Sequence, residues 1–130
     1  RIVEYIFVFA RKSELRTFNA NKKITGRIER TGQANYENIY NFIEARNNDG
    51  SNPLNKATFS TDLVKKLLTI YAPPNSLVYD NFIGIGTTAK ACLEMGMSYV
   101  GSEISEAQVN HFEEWKTNYE KDKGTTQENS

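Results

Sequence analysis

One cysteine, Cys92, in 130 residues leaves it no partner within the chain, which excludes an internal disulfide framework and a cysteine-based metal cluster. Histidine is equally scarce: His111 stands alone, without a second histidine at metal-ligand spacing, and reads as a packing or surface residue. No metal site is expected. No apolar run approaches the ~18 residues that a membrane span needs, and no basic-then-apolar leader opens the chain, so a cytoplasmic protein away from membranes is expected. Net charge is missing too, 16 Lys and Arg balancing 16 Asp and Glu, but the balance conceals a gradient. Residues 1–34 carry eight basic side chains against three acids, whereas residues 103–130 carry seven acids against three lysines. A basic end permits contact with nucleic acid, because cations release counterions from a phosphate backbone; a solvated surface fits the same charges.

What the chain does have, 38% hydrophobic and 12% aromatic residues, is enough for one core. "VEYIFVFAR" (3–11) is apolar at nearly every position and predicts a core strand covered on both faces. Residues 12–33 are polar and basic with little periodicity and read as irregular. Tyr36, Ile39, Tyr40 and Ile43 recur at helical spacing, which predicts a helix ending near Arg46. After the turn cluster at 47–53, a helix is expected with Ser60 or Thr61 as N-cap and Leu63, Leu67 and Tyr71 on one face. A short strand at 76–79 follows. Gly84 to Thr88 then turn the chain into a helix that has Ala89, Cys92 and Leu93 inward and Gly96 at its end. "SYVGS" makes a second strand. Ser105 and Gln108 predict a capping box for a last helix striped by Val109, Phe112, Trp115 and Tyr119, with a disordered tail at 123–130.

Strand, Gly-rich turn, helix, strand is a βαβ unit, and its ligand crevice lies outside the carboxyl ends of the strands. Asp80 and Glu103 both fall there. The glycines let a ligand approach backbone, the helix start suits an anion, and an acid at the second strand's end suits a ribose diol. A P-loop is excluded because no lysine follows the glycines. A dinucleotide fits poorly: the third glycine of G-x-G-x-x-G is missing, and Asp80 would repel a pyrophosphate. S-adenosylmethionine offers an ammonium for Asp80, a carboxylate for the helix start and a ribose for Glu103. A structural glycine turn with two incidental acids accounts for the same residues without a ligand.

"DNFIGIGTT" (80–88) resembles the D-P-F-x-G-S-G-T-T cofactor motif of amino-group DNA methyltransferases, and "YVGSEIS" (99–105) resembles their acidic strand. "NKATFSTDLVKKLL" (55–68) is similar to the H-P-A-T-F-P-x-x-L-V-x-x-L-I segment of the permuted, beta-type group, whose cofactor half comes last. "EYIFVFARK" (4–12) resembles the strand that follows the catalytic half. The resemblance implies a partial Rossmann-like α/β fold, with a core strand at 1–11, a target-recognition segment at 12–54 and a cofactor portion at 55–122. It assigns Asp80 to the methionine amino group, Phe82, Gly84 and Gly86 to the cofactor wall and turn, and Thr87 and Thr88 to the carboxylate. Glu103 would hold the ribose, and Thr58, Phe59 and Ser60 would line the methionine end. Asn55, Ser60, Asn81 and Ile85 depart from the pattern, standing where histidine, proline, proline and serine are usual.

The family's catalytic tetrapeptide, D/N/S-P-P-Y/F/W, does not occur in these residues, so no catalytic residue is assigned. "APPN" (72–75) has its prolines, but Ala72 cannot accept amino hydrogens and Asn75 cannot stack a flipped base. The resemblance therefore implies the C-terminal part of a site-specific DNA methyltransferase, adenine-N6 preferred over cytosine-N4. An upstream half or a partner chain would carry the tetrapeptide, and an unpaired strand at 3–11 would favour a homodimer. Double-stranded DNA would be met by Arg11, Lys12, Arg16, Lys22, Lys23, Arg27 and Arg30, on phosphates. The alternative is a non-catalytic subunit that keeps the fold and binds DNA or a partner.

Overall fold

The computed structural model of the chain describes residues 3–14, 22–38 and 40–128, with residues 125–128 described by backbone alone. Among the described residues the first regular structure is a hairpin of β1 (Ile24–Arg27) and β2 (Ala34–Tyr36), paired antiparallel with a register shift between Ile24 and Gly26. Its turn closes on Ile28, whose carbonyl accepts the N–H groups of Thr31 and Gly32, the latter at a φ of 68° that glycine adopts without strain. Ile24, Ile28 and Tyr36 all remain exposed, so the hairpin has no core of its own.

The core lies in the second half. α1 (Thr61–Tyr71) starts at Ser60, whose hydroxyl accepts the Leu63 N–H at 3.2 Å and donates to the Arg46 carbonyl at 2.7 Å. α1 stops where Ala72 turns extended ahead of Pro73. β3 (Leu77–Asp80) then runs into the Gly-rich turn, α2 (Thr87–Met95) crosses over, and β4 (Ser98–Gly101) returns parallel to β3 with Leu77 opposite Ser98 and Asp80 opposite Gly101. The crossover helix can lie close to both α1 and β4 because its inner residues, Ala89, Ala91 and Cys92, are small and fully buried. Gly96, left-handed at φ 69°, ends α2 while the next N–H, of Met97, donates back to the Cys92 carbonyl.

α3 (Glu106–Glu128) covers the same side. Its Phe112 is buried and meets Tyr99 edge-on at 5.9 Å, and Phe112, Trp115 and Tyr119 stack in sequence along the helix. The Lys90 ammonium of α2 lies 5.1 Å from the centre of the Trp115 ring, and Lys65 of α1 pairs with Glu94 of α2. The other face of the sheet is open, with Leu77, Tyr79 and Val100 exposed.

Residues 3–11, expected as a strand whose neighbours lie outside these residues, stand in solvent from Val3 to Phe9, and among the described residues no backbone hydrogen bond ties 3–9 to another segment. β-branched and aromatic residues favour extended backbone, but a strand exists only where a neighbour completes its ladder. Three expectations are corrected. Residues 12–33 are not irregular throughout, since they contain β1. No helix forms among the described residues of 36–46: Tyr36 is taken into β2, and at the other end residues 44–46 are held by α1 and its N-cap, Arg46 N–H donating to Asp62, its carbonyl accepting from Ser60, and the Glu44 carbonyl accepting from Lys66. The tail expected to be disordered continues α3 through Glu128, each added residue extending a helix already nucleated. Residues 129–130 lie outside the described residues.

Candidate functional site

The carboxyl ends of β3 and β4 place Asp80 and Glu103 on either side of the Gly-rich turn. Asp80 is fixed through both oxygens: Oδ1 accepts the Phe82 N–H at 3.0 Å, and Oδ2 accepts the Thr88 hydroxyl at 2.6 Å. Glu103 is fixed likewise, Oε2 accepting the Gly84 N–H at 3.0 Å and Oε1 the Ser105 N–H at 2.8 Å. A carboxylate has about four acceptor sites, so each acid keeps capacity for a ligand donor. Neither is buried, and neither has a basic partner in an ion pair among the described residues.

Two of the glycines are there for different reasons. Gly84 has φ 56° and presents its bare α-carbon to Asn55 and Gln108, while Gly86 has φ 83° and serves as the N-cap of α2. A Cβ on Gly86 would collide with the Phe112 ring. The first N–H groups of α2 therefore open directly off the turn, with the partial positive charge of a helix start. Phe82 and Ile104, one in each acid-bearing loop, are 83% and 101% exposed, large apolar side chains left in water.

Beside the turn lies a partly open cavity of about 160 Å³ lined by Thr58, Phe59, Ile85, Thr87, Lys90 and His111. Burial holds the Lys90 ammonium below the ordinary lysine range, against a smaller opposing pull from Asp49. Burial also raises the Cys92 thiol, with the nearby Asp80 charge adding to the shift.

The residues expected at the site divide as follows. Asp80, Phe82, Gly84, Gly86 and Glu103 come together around one turn, and Thr58, Phe59 and Thr87 come together at the cavity. Ser60 does not line it: its fully buried hydroxyl is spent on the N-cap and on Arg46. Thr88 gives its hydroxyl proton to Asp80 and is unavailable as a donor to a ligand carboxylate in this arrangement. Gln108 makes no capping box with Ser105; its side chain accepts from Asn55 instead, at 3.1 Å. Asn52, Asn55, Lys90 and Ile104 were not anticipated at the site, and only Asn55 carried a signal, as a departure from the motif. The basic residues Arg11, Lys12, Lys22, Lys23, Arg27 and Arg30 are all exposed, Lys23, Arg27 and Arg30 falling on or beside the hairpin. Arg16 lies outside the described residues.

Comparison with known proteins shows the family. The chain is 27% identical over 71 residues to the type II methyltransferase M.BglII of Bacillus subtilis, covering 55% of this chain and 20% of that protein. It is 35% identical over 49 residues to the type II methyltransferase M1.MboII of Moraxella bovis, covering 38% of this chain and 19% of that one. The chain thus matches about a fifth of the length of these curated relatives. Among solved structures, M1.HpyAVI aligns at 30% identity with a TM-score of 0.42, over 44% of this chain and 29% of that one. The M1.HpyAVI-SAM complex aligns at 23% identity with a TM-score of 0.47, over 60% and 40% respectively. The family model N6_N4_Mtase, described as DNA methylase, matches residues 1–114, and the chain belongs to that family of DNA methylases.

Proposed function

We propose that the chain is the S-adenosylmethionine-binding and target-recognising portion of a site-specific DNA amino-methyltransferase, with adenine N6 as the preferred acceptor. The observation that carries this reading is the pair of carboxylates, Asp80 and Glu103, held by hydrogen bonds at the ends of two parallel strands on either side of a glycine turn. The fit is chemical. Asp80 is a fixed anion for the methionine ammonium, Glu103 has lone pairs for the ribose hydroxyls, and the start of α2 beside Thr87 suits the carboxylate. Phe82 and Ile104 offer apolar surface to a purine face.

The bound cofactor supplies an electrophilic methyl group on a sulfonium centre. The residues of this chain bind and orient it; the tetrapeptide that would hold the target amino group is absent from these 130 residues, so it comes from elsewhere in the polypeptide or from a partner chain. The chain by itself is therefore inactive in methyl transfer. Residues 12–54 belong to target recognition, with the hairpin's Lys23, Arg27 and Arg30 on DNA phosphates, in the cytoplasm.

Isothermal titration of the chain with S-adenosylmethionine tests the reading. Weak binding is expected, and Asp80→Ala and Glu103→Ala should each lose on the order of 1.5–3 kcal/mol, the range for hydrogen bonds to a charged group. Affinity unchanged in both variants would remove the site.

A further inference from the structure

Residues 52–55 are tied to α3 twice. Asn52 Nδ2 lies 3.1 Å from His111 Nε2, and Asn55 Nδ2 donates to Gln108 Oε1 at 3.1 Å. Gln108 and His111 are three residues apart and share a helix face with Phe112, the ring that occupies the space over Gly86. Both asparagines are oriented for this by the chain that follows them: Asn52 Oδ1 accepts the Leu54 N–H at 2.9 Å and Asn55 Oδ1 the Ala57 N–H at 3.1 Å, which leaves their NH2 groups to α3. The second pair also touches the turn. A Cβ placed on Gly84 would sit 3.2 Å from Asn55 Nδ2 and 3.3 Å from Gln108 Oε1, so the amide pair packs against the α-carbon of the same residue whose N–H is held by Glu103.

The segment that brings Thr58 and Phe59 to the cavity has no helix or strand between Asn47 and Ser60; near its start Asp49 Oδ2 accepts the Thr61 N–H at 2.8 Å, and its remaining internal hydrogen bonds are local turns. Asp49 and Ser60 hold its two ends at the start of α1, and between them Asn52 and Asn55 are its ties to α3. A segment that loses such a tie samples more arrangements, and ordering it on binding subtracts from affinity. We infer that Asn55 and Gln108 form a clasp that sets the gap between the Thr58–Phe59 wall and the Gly84 turn, and that they are positioning residues for the ligand entering there. The inference rests on the cofactor reading above. Neither side chain needs to touch the ligand: the pair fixes the wall against the turn before the ligand arrives.

The test uses the 130-residue chain, S-adenosylmethionine titration and amide hydrogen exchange without ligand. Gln108→Met and Asn55→Leu keep volume and remove the amides, and the exchanged pair N55Q/Q108N restores an amide pair of the same combined reach. Each single variant should weaken binding roughly three- to ten-fold, as loss of one neutral hydrogen bond does. The Leu/Met double variant should lose no more than the worse single, and the exchanged pair should recover affinity, whereas a general loss of stability would be additive and unrescued. Unchanged affinity in both single variants, with the unmodified chain binding normally, overturns the clasp and leaves the cofactor reading standing. If the unmodified chain does not bind, the cofactor reading falls and exchange decides the clasp. Faster exchange at Ala57 and Gly84 in Gln108→Met then supports it as the tether of the turn, and unchanged exchange overturns it.

Discussion

Thr88 Oγ1 donates to Asp80 Oδ2 at 2.6 Å, reaching back from the first turn of α2 to the end of β3. The bond joins the two elements whose separation defines the site, and it aims the carboxylate. Thr88→Val, which keeps the shape and removes the donor, should cost about 1–2 kcal/mol of stability, below the full value for a charged acceptor because Asp80 is partly hydrated. Thr88→Ser should cost less than half of that. Urea melts of the three proteins are the check, and a valine variant as stable as the serine variant would make the bond incidental.

Gly84 and Gly86 both have positive φ, but only Gly86 faces a ring. A left-handed alanine costs about 1–2 kcal/mol at either position. At Gly86 the methyl group must also displace Phe112, an overpacking of about 1–3 kcal/mol more. Gly86→Ala should therefore melt well below Gly84→Ala and loosen α3, which tryptophan fluorescence of Trp115 reports. Equal melting temperatures would contradict the close approach of Phe112 to the turn.

The βαβ unit was legible because its signals are local. Gly84 and Gly86 require conformations that other residues avoid, Gly96 marks a helix end, and Ser60 is an N-cap by its own chemistry. The acceptors of the Ser60 and Thr88 hydroxyl protons, the Arg46 carbonyl and Asp80, were not legible, since a hydroxyl in a motif does not reveal which acceptor takes its proton. The helix expected at 36–46 failed because periodicity says nothing of the tertiary donors and acceptors, Ser60, Asp62 and Lys66, that hold residues 44–46 instead. The run at 3–11 has the composition of a strand, but composition cannot supply the neighbour.

Cys92 is fully buried in α2, and its thiol is raised first by burial and then by Asp80. A raised thiol binds its proton more tightly folded than unfolded. Its contribution to stability is complete below the unfolded value of about 8.5 and is lost as pH rises through the higher folded value. Stability of the chain relative to Cys92→Ala should thus fall from about pH 8.5 upward. Alkylation in native buffer at pH 8 should be slow and should accelerate in urea; fast native alkylation would contradict the burial.

Lys23, Arg27 and Arg30 stand exposed on or beside the hairpin. If they meet phosphates, replacing all three by alanine should reduce the slope of log affinity against log salt by about 0.9 for each contact removed. Fluorescence anisotropy with duplex DNA at several salt concentrations measures it. An unchanged slope would assign these cations to solvent.

The central claim is that the turn between Asp80 and Glu103 holds S-adenosylmethionine, and the direct measurement is an amide chemical-shift titration of the 130-residue chain. The account predicts concentration-dependent shifts at Phe82, Gly84, Gly86, Thr87 and Ile104, reproduced by the demethylated product and absent in Asp80→Ala. Shifts confined to other parts of the chain, or none at millimolar cofactor with the chain folded, would contradict it.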